Sequence, residues 1–113
     1  MTGPSKELQT LKAEFFRALA HPARIRILEV LSETAEQSVQ ALQARLALDQ
    51  PVVSQQLAKL RAHGIVVSRK EGTTVLYALA DPRIADLLKV AKELLNNRLT
   101  GHRTLLQELR RHG

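Results

Sequence analysis

The chain has 113 residues, enough for one modest hydrophobic core and too few for two, so a single domain over residues 1–113 is expected. Its 17 Lys and Arg against 11 Asp and Glu give a formal charge of +6 and a pI near 10.3, a balance that suits a polyanionic partner. The absence of cysteine excludes disulfides and thiolate metal sites; no apolar run nears the roughly 20 residues of a membrane span and Met1 to Lys12 lacks a signal peptide's apolar core, so a cytoplasmic protein with no membrane partner is expected.

Ser5 to Ala20 sets Leu8, Leu11, Phe15 and Leu19 at helical spacing, and Pro22 to Glu33 does the same with Ile25, Ile27, Leu28 and Leu31. Both read as amphipathic helices. Pro22 suits the first turn of the second, and Ser38 caps a third that runs through Val39, Leu42 and Leu46. With aromatic residues at 3% of the chain, the core is expected to be Leu, Val, Ile and Ala, and Phe15, Phe16 and Tyr77 are the only rings.

A fourth helix is predicted over about residues 50–62. Asp49 stands at its cap, Pro51 lies in its first turn, and His63-Gly64 closes it. Val53, Leu57 and Leu60 fall on one face at i, i+4, i+7 spacing, which is the side to bury. Opposite or flanking that stripe stand Gln50, Val52, Ser54, Gln55, Gln56 and Lys59. Glutamine can bond adenine through two hydrogen bonds, serine reaches bases or phosphates, and valine can touch a thymine methyl, so these six are the candidate base-reading and phosphate-binding residues.

Residues 65–79 form two β-branched runs about a Glu71-Gly72 turn, with Val75, Tyr77 and Leu79 alternating onto one face. A ribbon this small is marginal alone. Its apolar face should pack on the helices and leave Arg69, Lys70, Thr73 and Thr74 outward to meet phosphate oxygens or the minor groove. Helix, turn, reader helix and hairpin in that order describe a winged helix-turn-helix, mainly α with a small β-hairpin, in the order α1-α2-α3-α4-β-β-α5. Double-stranded DNA is the expected partner, and Arg24 and Arg26 are further candidate phosphate contacts.

Asp81-Pro82 opens a last helix over about residues 82–109, with a stripe of Ile84, Leu87, Leu88, Ala91, Leu95, Leu99, His102, Leu106 and Leu109 and candidate breaks at Asn96-Asn97 or Thr100-Gly101. That stripe exceeds what one small core hides. A homodimer whose seam uses the first helix, about 5–20, and the last explains the surplus. It would also set two reader helices into successive major grooves about 34 Å apart, over an imperfect palindrome.

Three ordered blocks carry a family resemblance: Phe16 to Leu28 with its Ala20-His21-Pro22 centre, Leu48 to Leu57, and Arg69-Lys70-Glu71-Gly72 through Tyr77-Ala78-Leu79. The chain resembles the ArsR/SmtB family of bacterial winged-helix repressors over almost its whole length. That resemblance implies a homodimeric repressor that blocks transcription from its operator, often its own promoter, and in many members leaves DNA when an effector binds.

The departures bear on the effector. Where metal-sensing members carry a Cys-Val-Cys-Asp-Leu box, this chain has Ser38-Val39-Gln40-Ala41-Leu42. Where others carry ligands on the last helix, Asp86 is followed by Leu87-Leu88, and His102 has Leu105 three residues on. The family's known metal sites therefore do not transfer, and no metal or cofactor is expected. The reader departs too, with Ser54-Gln55-Gln56 in place of a common Ser-Arg-His. Of the four histidines, His21, His63 and His112 read as structural or solvated, whereas His102 sits on the seam stripe and is the one candidate effector or pH site; the effector itself is unknown.

No phosphate loop, nucleophile elbow or convergent acid/base set is visible, so an enzyme is not expected. The expected function is a sequence-specific transcriptional regulator. Its rival is an architectural DNA coater or a protein-interaction module on the same fold.

Overall fold

A computed structural model describes the backbone of residues 4–112 and the side-chain surroundings of residues 6–98, 101 and 107–110. In chain order the elements are α1 (Pro4–Leu19), α2 (Pro22–Glu33), β1 (Gln37–Ser38), α3 (Val39–Leu46), α4 (Gln50–Ala62), β2 (Val66–Glu71), β3 (Thr74–Leu79) and α5 (Arg83–His112). They divide into two units, Met1–Pro82 and Arg83–Gly113.

Local signals set most of the boundaries in the first unit. His21 is extended (φ −151°, ψ 128°) and its Nδ1 accepts the Ala23 N–H at 3.1 Å, so it caps α2 while Pro22 occupies the first turn. Ser38 caps α3 as expected, its hydroxyl oxygen accepting the Ala41 N–H at 3.1 Å. Helix α3 ends at Ala47, which adopts φ 53°, ψ 42° and donates its N–H to Gln43 O at 2.9 Å. Among the described residues it is the only non-glycine with positive φ, a conformation that costs an L residue about 1–2 kcal/mol. That left-handed residue ends α3 and opens the short connection to α4.

The start of α4 differs from the expectation in one respect. Asp49 holds the cap position, but its side chain makes no cap hydrogen bond. Its backbone carbonyl instead accepts the N–H groups of Val52 and Val53, each at 3.1 Å.

The core is aliphatic. Ile27, Leu28, Leu42, Val53, Leu57 and Leu60 are fully buried, joined by Leu31, Leu46, Ile65 and Val66. Each such side chain contributes roughly 1.5–3 kcal/mol through removal from water. Phe15 is half-buried and Phe16 exposed, their rings meeting edge to face at 5.7 Å.

Two strands were expected and three form. The sheet is antiparallel in the order β1-β3-β2, with Gln37 opposite Tyr77 and Ser38 opposite Leu76 on one side of β3. On the other side β2 pairs from Val66↔Leu79 to Glu71↔Thr74. The hairpin loop is therefore Gly72-Thr73, with Gly72 at φ 64°, where glycine carries no Cβ penalty. Because β3 is central, its residues Val75 to Leu79 are all half-buried rather than alternating.

The second unit is a single helix of 30 residues. It runs without interruption through Asn96-Asn97 and Thr100-Gly101, the candidate break points. Val90, Leu94, Leu95 and Leu109 along it are each more than half exposed.

Candidate nucleic-acid interface

Helix α4 has two distinct faces. Val53, Leu57 and Leu60 are completely buried, as their spacing required. Gln50, Val52, Gln55 and Lys59 are exposed, and Ser54 is half-buried at the boundary. A helix anchored by an apolar stripe and presenting short polar side chains can lie in a major groove with those side chains at base edges.

Gln56 leaves this set. It is only 6% exposed, and its Oε1 accepts a hydrogen bond from Arg24 Nε at 2.8 Å. Its position explains why: it follows Val53 by three and precedes Leu60 by four, so it shares the buried stripe. A buried amide without a partner would be costly, and Arg24 satisfies it. The same guanidinium donates through Nη1 to the Ala18 carbonyl at 2.9 Å, which ties the end of α1, α2 and the middle of α4 together. Arg26, the companion candidate for a phosphate contact, donates through Nη2 to the Leu46 carbonyl at 2.7 Å and closes the last turn of α3. Both arginines are engaged within the domain.

Helix α4 passes directly into the β2–β3 hairpin. His63 and Gly64 donate their N–H groups to Lys59 O and Arg61 O, and Ile65 N–H bonds Leu60 O at 2.9 Å, so the end of α4 fixes the start of β2. At the far end of the ribbon Lys70 and Thr73 are exposed, with Thr74 beside them.

Arg69 is exposed but engaged. Its Nε and Nη2 grip the Glu36 carboxylate at 2.6 and 2.8 Å, and Nη2 also reaches Glu71 at 3.1 Å. Those hydrogen bonds from Arg69, with its charge, hold the Glu36 carboxyl below its ordinary pKa; the Arg69 guanidinium is held above its own, chiefly by Glu36 and then by Glu71. Glu36 carries no signal in the sequence, because it is placed by β1, a strand of only two residues. Strand β1 runs beside β3, and Arg69 crosses the face of β3 from β2 to reach the residue just before β1. Residues facing one another across a sheet share a face, which puts Glu36, Leu76, Arg69 and Glu71 on one side.

His102, the candidate effector or pH site, lies outside the described side chains. Among the described residues, no group of three or more His, Asp or Glu is arranged to hold a metal ion. No described helix is long and apolar enough to cross a membrane.

Comparison with known proteins gives the same architecture a family. A helix-turn-helix domain model matches residues 19–69. The HTH-type transcriptional regulator Rv0081 of Mycobacterium tuberculosis is 44% identical over 109 residues, covering 96% of either chain. The HTH-type transcriptional repressor SmtB of the same species is 40% identical over 85 residues, 75% of this chain and 62% of the relative. The chain belongs to the ArsR/SmtB family of winged helix-turn-helix transcriptional regulators.

Solved structures agree with that assignment. The crystal structure of Rv0081 aligns with a TM-score of 0.77 at 45% identity, over 89% of this chain and 98% of that one. The solution structure of the homodimeric winged helix-turn-helix DNA-binding domain Mb0332 from Mycobacterium bovis, a possible ArsR-family regulator, aligns with a TM-score of 0.79 at 26% identity, over 90% and 94%. As an ArsR/SmtB member, this chain is a DNA-binding transcriptional regulator and not an enzyme.

Proposed function

We propose that this ArsR/SmtB regulator is a cytoplasmic homodimeric repressor that recognises an imperfect palindromic operator. In this reading Gln50, Val52, Ser54 and Gln55 read base edges from α4, and Lys59, Lys70 and Thr73 hold the phosphate backbone. Gln56, Arg24 and Arg26 serve the scaffold that aims them. The observation that carries the reading is the division of α4 into a fully buried Val53/Leu57/Leu60 stripe and an exposed Gln50/Val52/Gln55/Lys59 face.

Repression is supported by the likeness to SmtB, which is named a repressor. Dimerisation is supported by the homodimeric Mb0332 neighbour and by two exposed apolar faces. On α1, Leu8, Leu11 and Phe16 are at least half exposed, and on α5 Val90, Leu94, Leu95 and Leu109 are too. Faces of this kind mark association surfaces. A twofold dimer presents its two reader helices to half-sites one helical turn apart, about 34 Å.

The test is selection of bound fragments from the source genome by purified protein at about physiological salt, followed by sequencing. Recovery of an imperfect palindrome near promoters is the expected result. Featureless enrichment would replace operator recognition with general DNA coating.

A further inference from the structure

We propose that Glu36 is a brake on DNA binding: it holds Arg69 in a two-point pair across the sheet and withholds from the phosphate backbone a cation that the wing would otherwise present. The inference rests on the proposed role of the wing in holding phosphates. It assigns Lys70 as the wing's working cation and Glu36 as a positioning residue that never touches DNA.

Glu36 and a phosphate compete for the same donors. A carboxylate and a phosphate both take the guanidinium fork through two parallel N–H···O bonds. In Arg69, Nε and Nη2 form one such two-point edge, and both are bonded to the oxygens of Glu36, at 2.6 and 2.8 Å. Glu71 adds a second carboxylate at 3.1 Å to the same Nη2. The cluster is therefore one cation against two anions, and it presents net negative charge on the ribbon that leads to the Gly72-Thr73 loop. A phosphate that takes the same Nε/Nη2 edge of Arg69 must displace Glu36 first, and only Nη1 is left outside these bonds.

Exposure makes the brake modest and releasable. The side chains of Arg69, Glu36 and Glu71 are 54%, 31% and 65% exposed, so water and salt screen the pair. Nothing in the core depends on it, since Glu36 lies in the connection between α2 and β1. Removing it should change DNA binding without unfolding the domain.

The experiment is a double-mutant cycle on the whole purified protein, read by fluorescence anisotropy against a mixed-sequence duplex of about 30 base pairs over a series of NaCl concentrations. Glu36→Gln keeps the shape of the side chain and removes its charge. It should tighten binding roughly three- to tenfold and steepen the log K against log[salt] slope by about 0.9, the increment for one more phosphate contact. Arg69→Ala alone should change affinity less than about twofold, because Arg69 is already held. In the Arg69→Ala background the gain from Glu36→Gln should fall to a small remainder.

No gain from Glu36→Gln overturns the brake. So does an equal gain with and without Arg69, which would be simple loss of a negative charge. Lys70→Ala, measured alongside, tests the wing separately: if it weakens binding and flattens the slope by about one unit while Glu36→Gln is silent, the wing stands and the brake falls. If both are silent, the wing reading falls and the brake falls with it.

Discussion

Arg24 commits its guanidinium to Gln56 Oε1 at 2.8 Å and to the Ala18 carbonyl at 2.9 Å. Both bonds lie within the domain, which supports a scaffold role beneath α4. Arg24→Met removes both donors while keeping much of the apolar stem, and it leaves a buried amide oxygen without its partner. The expected cost is about 1–3 kcal/mol of stability, seen as a lower midpoint in urea unfolding, with the salt slope of DNA binding unchanged. A slope flattened by about one with stability intact would assign Arg24 to the phosphate backbone instead. The burial of Gln56 was legible in principle, because its spacing from Val53 and Leu60 lies on the buried stripe. Its polar side chain reads as flanking that stripe, and only its partner, 32 positions away, explains how it is buried. The grip of Glu36 on Arg69, 33 positions apart, was hidden for the same reason.

At the scale of elements, the helices with strong end signals were the legible ones. His21-Pro22 starts α2, Pro51 lies in the first turn of α4 and His63-Gly64 closes it, and each acts through the backbone of its own few residues. Strand β1 has only two residues, Gln37–Ser38, too few to show any period. It exists because β3 offers a free edge to it. Neither candidate break in α5 forms, since Asn and Gly lower helix propensity by about a kcal/mol or less each and a long helix tolerates that. Helix α5 also carries the test of dimerisation. Leu94 is 61% exposed within one chain, so Leu94→Glu should leave the fold and its circular dichroism intact while shifting sedimentation from dimer to monomer. A dimer of parental stability would remove that face of α5 from the proposed seam.

Over the whole molecule, a formal charge of +6 supplies attraction to any DNA, and in the proposed reading the exposed face of α4 chooses among sequences. The two contributions separate experimentally because only the second depends on sequence. Fold and DNA binding were readable from pattern, charge and the three family blocks. The operator was not, because base readout depends on where the side chains proposed to read it, Gln50, Ser54 and Gln55, would meet the groove. The most direct test of operator reading is affinity for a selected palindrome and for random duplex DNA at one salt concentration, in the parent and in Gln55→Ala. The parent should prefer the palindrome by a factor of about 10³ or more. Gln55→Ala should lose about 1–3 kcal/mol on the palindrome alone and leave random DNA unchanged. Equal losses on both, or no preference in the parent, would contradict the account.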